Sequence, residues 1–523
     1  MKRFLSLFLI VTFMTTLFPA SVFAAFADTD GIAQQQEIAY VTSHNLFQGT
    51  GNETFSPEQP FTRAQAVAVL ARQAHISGQP CKAFNDVPDG AYYQNALGWA
   101  YENQLVQGVL PSKFEPDRPI AHNELITLFE RYLAWLGREN DFISPIDTEN
   151  VSRAQGAVYF SLLDQTLLSR NTSLLTHMAS DGIPLTGKLD LPAGDKPVEN
   201  LVLFVNGSGP NTYDNHRESE GMSFNYYDLF AEQFGARDIG FFRWNTRGVS
   251  KGDQPPLFAN VDDESYRTYV PSTSVSDIGE WIDALRENER LKDTKIWLLG
   301  WSEGTMIAPL AAKEFPDKIT GLLLAGYAND RMDEIFDWQQ SGESSMIFYR
   351  QYFDADGDKN ISVEEYTADP YGIISAVLEN ASFESIDKNQ DGVISAVDFA
   401  LVLAPYKEAF YDAVERGDNE WLANNYGVRL TSEWFQAHRK LAPNRETMLT
   451  LDLPIYIFHG TEDANCSVEG VYAIDKSFTE HGKTNLLSRT YEGYDHDLLY
   501  TLYVLHGTMP TAFEDLFQTI VER

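Results

Sequence analysis

Cysteine is nearly missing from this chain: two residues in 523, Cys81 and Cys466. They lie far apart, in what read as different domains, so no structural disulfide is expected and the fold must hold by packing. Basic residues are scarce too. There are 39 Lys and Arg against 75 Asp and Glu, a formal net charge of −36. Such a surface repels phosphate backbones and anionic lipid, which excludes nucleic acid as a partner and leaves cations as natural counter-ions. Long apolar runs are absent beyond the N-terminus, so the chain is not read as an integral membrane protein.

The N-terminus is the exception. Lys2-Arg3 precede an apolar stretch from Phe4 to Phe18, and small residues close it at Ser21-Val22-Phe23-Ala24. This is the pattern of a secretory signal over residues 1–24, cut near Ala24 or Ala27, and the stretch is short for a span of about 20 residues. A secreted location follows. The chain as a whole is rich in core material, 43% apolar with 33 Phe and 25 Tyr. Its length predicts two or three domains.

Residues 28–165 repeat. One copy has Asn45-Leu46-Phe47-Gln48-Gly49, then Phe55-Ser56-Pro57, then Phe61-Thr62-Arg63-Ala64-Gln65 leading into a helix. A second has Asn103-Gln104-Leu105-Val106-Gln107-Gly108, then Phe114-Glu115-Pro116, then Ile120-Ala121-His122-Asn123-Glu124. Phe55 and Phe114 are 59 residues apart (114 − 55), as are Pro57 and Pro116 (116 − 57). A fixed offset of this kind marks stacked supersecondary units. A shortened third copy is Val151-Ser152-Arg153-Ala154-Gln155. With Phe84-Asn85-Asp86-Val87 and Trp99 between them, these segments resemble the S-layer homology module. The resemblance implies three modules in a compact helical trefoil that holds cell-wall-linked polysaccharide. It also implies that the motif arginine, Arg63 or Arg153 here, meets acidic groups of the glycan, for which a bidentate guanidinium is suited. The second copy departs from the pattern with His122 at that position.

From about residue 180 apolar strands alternate with helices: strands at 201–205, 239–244, 296–299 and 319–324, helices at 226–234, 274–286 and 305–313. This predicts a mostly parallel sheet covered by helices on both faces, an α/β fold. The alternation stops between 330 and 450, where a helical, aromatic segment of cap size interrupts it. It resumes over 451–523.

Gly300-Trp301-Ser302-Glu303-Gly304 joins a strand to a helix of small residues. Gly-x-Ser-x-Gly in that setting is a nucleophile elbow, which exposes the serine hydroxyl above the sheet. A serine needs a base to take its proton and an acid to orient the base. Downstream, the strand 454–458 ends in His459-Gly460-Thr461-Glu462-Asp463, and the next loop holds Gly493-Tyr494-Asp495-His496. Asp463 is read as the acid and His496 as the base, with His459 a structural group at the strand end. The backbone N–H groups of Glu303 and Ser208 are the candidate oxyanion donors. Together with Asn206-Gly207-Ser208-Gly209-Pro210 and Thr246-Arg247-Gly248, these motifs resemble the α/β-hydrolase superfamily, in particular its bacterial esterase-like members. The resemblance covers residues 180–329 and 451–523 and implies the α/β-hydrolase fold.

Two acidic loops lie in the cap segment. Asp354, Asp356, Asp358, Asn360, Ser362 and Glu365 stand at positions one, three, five, seven, nine and twelve of the first, as do Asp387, Asn389, Asp391, Val393, Ser395 and Asp398 in the second. Both match the EF-hand calcium loop, and an extracellular affinity of about 0.1–1 mM is expected. Two departures stand out: Lys359 replaces the turn glycine, and Asp398 is shorter than the usual glutamate. Calcium is read as a structural cofactor that fixes the cap, and no organic cofactor is expected. The sequence thus predicts a cell-surface serine hydrolase acting on a small acyl ester. Alternatives are a serine peptidase of the same fold, or a non-catalytic, calcium-stabilised wall-binding protein.

Overall fold

The computed structural model describes residues 26–51, 53–138, 142, 149–219 and 222–521. The signal-like segment 1–24 lies outside them. No helix among the described residues is long and apolar enough to cross a membrane.

The repeats form a ring of three. The N–H of Phe61 donates to Val151 O (2.8 Å), that of Ile120 to Phe61 O (2.8 Å) and that of Val151 to Ile120 O (3.3 Å). Each short strand thus feeds a helix: Arg63–Gln73, His122–Trp135 and Arg153–Leu168. Thr62 and Ser152 cap their helices through reciprocal bonds with Gln65 and Gln155, which satisfies N–H groups that a helix start would leave open. The shortened third copy closes the ring, and Phe47, Phe61, Phe129 and Phe160 fill its centre. The second copy's His122 takes a different partner, Tyr159 Oη at 2.8 Å from Nδ1.

A sheet of eight strands follows: β1 Arg170–Met178, β2 Pro184–Pro192, β3 Asn200–Val205, β4 Gly240–Trp244, β5 Lys295–Trp301, β6 Gly321–Ala325, β7 Ile455–Gly460 and β8 Leu486–Tyr491. Their order is β1-β2-β4-β3-β5-β6-β7-β8. β2 is antiparallel to β1 and β4, and every other neighbouring pair is parallel. Helices Pro271–Leu285, Gly304–Glu314 and Glu469–Glu480 cover one face, and Asp228–Gly235 and Thr511–Val521 the other. The sheet begins at Arg170, ahead of the boundary at 180. β1 escaped the sequence reading because it is a polar edge strand, and its Leu174 and Met178 stay exposed.

The repeat ring leans on this core. Arg237 stacks over Trp135 and Phe517, and the N–H of Met509 donates to His75 O at 2.6 Å. Between β6 and β7 the chain forms the cap, a set of helices from Met332–Gln339 to Asn444–Leu449. Within it a two-residue strand pair, Ile361 opposite Ile394, ties the two acidic loops together.

Candidate active site

β5 ends in the elbow. Ser302 has φ of +55°, a left-handed backbone that costs a non-glycine residue of order 1–3 kcal/mol. The turn is forced by its neighbours. A Cβ on Gly304 would sit 2.1 Å from Val205 O, and one on Gly300 would sit 2.4 Å from Gly304 O, so only glycine lets helix Gly304–Glu314 start this close to β3 and β5. Ser302 N–H donates to Ala325 O of β6 (3.0 Å), and Thr305 Oγ1 to Ser302 O (2.7 Å).

Asp463 and His496 meet at the ends of β7 and β8. His496 Nδ1 lies 2.7 Å from Asp463 Oδ2, while the N–H groups of Asn465 and Cys466 both donate to Asp463 Oδ1 at 2.8 Å. Asp463 is buried. Burial opposes its charge, yet His496 and these donors hold its pKa below the ordinary carboxylate value. Burial also opposes charge on His496, but Asp463, with Asp497 and Asp495 behind it, lifts this imidazole to about 9. Glu462, the other carboxylate of the turn, makes no bond to His496 among the described residues.

His459 is fully buried at the end of β7. Its Nδ1 accepts from Tyr327 N–H at 2.9 Å, and its Nε2 faces Cys466 O at 3.0 Å. Both ring nitrogens are occupied by backbone and burial lowers its pKa, so it holds the loop. Arg247 is buried between Asp277 and Asp181 and braces the turn after β4.

Ser302 and His496 line one cavity of about 280 Å³. Ser208 and Glu303 reach the same cavity, and no hydrogen bond among the described residues engages their backbone N–H groups. One wall is apolar and belongs to the cap, with Phe336, Tyr426 and Val428; the other is polar, with Asn211, Asn215 and Arg217. Arg217 stacks on Tyr226 and lies 3.4 Å from Asp497. Cys466 also lines the cavity. Burial and the nearby Asp463 push its thiol well above its ordinary pKa, so it offers no competing thiolate.

The side chain of Glu303 was not anticipated. It is 1% exposed and accepts from Tyr269 Oη (2.5 Å), Trp434 Nε1 (2.9 Å) and His438 Nε2 (2.9 Å). The one signal in the sequence was Trp434 and His438, four apart on a helix and therefore on one face. Arg217 stood in no motif.

In the first acidic loop, one oxygen from each of Asp354, Asp356 and Asp358 falls within 4.8 Å of the others, a donor set suited to a hard cation. Glu365 folds back to accept from Ala355 N–H and Ser362 N–H. Asp398 does the same for Lys388 N–H and Ser395 N–H in the second loop, despite its shorter arm. Later in loop one, Asn360 N–H donates to Asp358 Oδ1 (2.7 Å) and Ser362 Oγ to Glu365 Oε2 (2.8 Å). Asp387 gathers the N–H groups of Gln390 and Gly392, and Asp391 those of Val393. Lys359 adopts φ of +73° and Gly392, at the matching position, +89°.

The two repeat arginines are buried. Arg63 Nε donates to Phe114 O (2.9 Å), Nη2 to Gln107 O (3.0 Å) and Nη1 to Glu124 (3.0 Å). Arg153 Nε donates to Phe55 O and Nη2 to Gln48 O, both at 2.8 Å. Each clamps the turn of a neighbouring copy, and Arg63 also edges a groove of about 330 Å³.

Residues 25–67 and 83–124 match the model of the S-layer homology domain. Residues of this chain are 28% identical over 147 positions to a cell surface protein of Thermoanaerobacter kivui, 26% of this chain and 19% of that protein. They are 24% identical over 100 positions to a surface-layer 125 kDa protein of Lysinibacillus sphaericus, 18% of this chain and 8% of that one. The chain therefore spans less than a fifth of the curated relatives it matches. Among solved structures, a thermostable carboxyl esterase from Bacillus coagulans is 16% identical with a TM-score of 0.38, over 68% of this chain and 98% of that one. That score is low, and the architecture rests on the strand order itself.

Proposed function

We propose that this protein is a cell-surface serine hydrolase that cleaves carboxylic esters through Ser302, His496 and Asp463. The observation that supports this most is the left-handed Ser302 at the end of β5, sharing a cavity with a histidine paired to a buried aspartate. Ser302 Oγ attacks the acyl carbonyl while its proton passes to Nε2 of His496. Asp463 holds the imidazole by Nδ1 and balances its charge. The N–H groups of Glu303 and Ser208 receive the developing oxyanion. The carbon–oxygen bond to the alcohol breaks as His496 returns the proton to the leaving oxygen. Water then gives His496 a proton, attacks the acyl-enzyme and frees the acid, and Ser302 regains its hydrogen.

The S-layer homology match supports attachment to the cell wall, with polysaccharide held in the grooves of the repeat ring beside Arg63 and Arg153. Calcium would sit on Asp354, Asp356, Asp358, Asn360, Ser362 and Glu365, and on Asp387, Asn389, Asp391, Val393, Ser395 and Asp398. When bound it supplies charge balance that locks each loop. The loops touch the catalytic side through helix Glu343–Phe353, whose Ser344 Oγ donates to Ala464 O at 2.6 Å, next to Asp463.

A fluorophosphonate probe, with Ser302→Ala as control, tests the nucleophile. Turnover of p-nitrophenyl esters beside aminoacyl p-nitroanilides separates esterase from peptidase. No label on Ser302 and no turnover of either would leave the wall-binding reading in its place.

A further inference from the structure

A nucleophile elbow asks only a backbone N–H of the residue after its serine. Any side chain there that avoids a clash would serve. Burying a carboxylate instead is expensive unless donors surround it. At Glu303 they do, and they come from two parts of the molecule. Tyr269 belongs to the core, just ahead of helix Pro271–Leu285. Trp434 and His438 belong to the cap helix Ser432–His438, more than 130 positions away in the chain. All three donors are buried, Trp434 at 0% and His438 at 1% exposure.

The cap helix in turn carries the apolar wall of the cavity. Phe336 packs on Trp434 and Phe435, with ring centroids 6.3 and 5.4 Å apart, and Tyr426 packs on Phe435 at 5.6 Å. Phe336 and Tyr426 face the cavity that holds Ser302. One residue therefore joins the wall that an acyl chain would touch to the turn that presents the nucleophile.

We propose that Glu303 is a positioning residue for substrate selection. Its carboxylate docks helix Ser432–His438 onto the elbow, and so sets the distance between the apolar wall and the Ser302 hydroxyl. Esters whose acyl part reaches that wall depend on this docking; esters too short to reach it do not. The inference rests on Ser302 being the nucleophile.

The test compares p-nitrophenyl acetate with p-nitrophenyl octanoate, reading kcat and KM separately, beside the rate of fluorophosphonate labelling. Trp434→Phe removes one donor and keeps the ring, and Glu303→Ala removes the acceptor. In both, the octanoate-to-acetate ratio of kcat/KM is expected to fall about tenfold or more, mainly through KM. Glu303→Gln retains one oxygen for Trp434 and His438, and its amide can donate to Tyr269 Oη. It is expected to keep the ratio within about threefold of the parent. Trp434→Phe is expected to leave labelling of Ser302 unchanged, which also reports that the variant is folded. If octanoate and acetate activities fall together in Trp434→Phe, or if the ratio holds in both variants, the proposal is overturned. If Glu303→Gln loses the ratio as Ala does, docking geometry is not the cause and the proposal fails. An unlabelled Ser302 in the parent protein overturns the hydrolase reading and this inference together.

Discussion

His496 and His459 share one carboxylate on unequal terms. Asp463 Oδ2 lies 2.7 Å from His496 Nδ1 and 3.6 Å from His459 Nε2. His459 has both nitrogens engaged by backbone, whereas His496 leaves Nε2 without such a bond among the described residues. The same acid thus binds one histidine directly and only flanks the other, which the backbone of Tyr327 and Cys466 holds.

The pH dependence follows from that pairing. His496 must be neutral to accept a proton, and its pKa is about 9. The value of kcat/KM should climb with pH and reach half its plateau near 9. Asp463→Asn should cut the rate by on the order of 10⁴-fold and move the midpoint down. The folded pKa lies above the ordinary 6.5. The stabilisation that His496 contributes is therefore full below about 6.5, for as long as Asp463 stays ionised, and is lost as pH rises through about 9. A pH series of ester turnover beside thermal melts checks both signs; a flat profile from pH 6 to 9 would count against His496 as the base.

Ser302 is predicted to be a point of stored strain. Glycine accepts φ of +55° without the Cβ penalty. Ser302→Gly should abolish labelling and turnover while raising the stability of the hydrolase core by about 1 kcal/mol. Ser302→Ala should be equally inactive with no such gain. Equal melting temperatures for the two variants would contradict the strain.

The first acidic loop makes a similar case. Lys359 and Gly392 occupy matching places and both have positive φ, so the lysine keeps the loop shape at a cost that glycine avoids. Lys359→Gly should stabilise the cap by up to about 1 kcal/mol, and calcium should bind it more tightly by calorimetry. Chelator should lower the melting temperature of the parent protein. Glu365→Gln should blunt that response.

Much of this was legible because the informative residues are local. The elbow, the turns after β7 and β8, and the acidic loops each sit within a dozen residues, where chain geometry alone fixes what a residue can do. The fixed offset likewise exposed the first two repeats, and the Ser152-Arg153-Ala154-Gln155 motif the shortened third. Two things were hidden for stated reasons. β1 is a polar edge strand with no apolar alternation to betray it. The docking of Glu303 to Trp434 and His438 depends on how the cap folds over the sheet, which no local pattern encodes. The resemblance also cast Arg63 and Arg153 as glycan-facing groups, whereas both are buried and grip backbone carbonyls.

That burial yields a prediction separating structure from binding. Arg63 Nε and Nη2 satisfy Phe114 O and Gln107 O, and the guanidinium rests 4.5 Å over the Phe114 ring. Arg63→Gln would strand those carbonyls at a cost on the order of 1–3 kcal/mol. The repeat ring should melt earlier, and sedimentation with purified cell walls should weaken as a consequence. Arg131 lines the same groove, and its one bond to the repeat backbone among the described residues is a longer contact, Nη1 to Leu105 O at 3.3 Å. Arg131→Gln should therefore weaken wall sedimentation, more so at low salt, with little change in melting. If Arg63→Gln lost wall binding while melting like the parent protein, Arg63 would be contacting glycan directly, and the clamp would be the lesser of its roles.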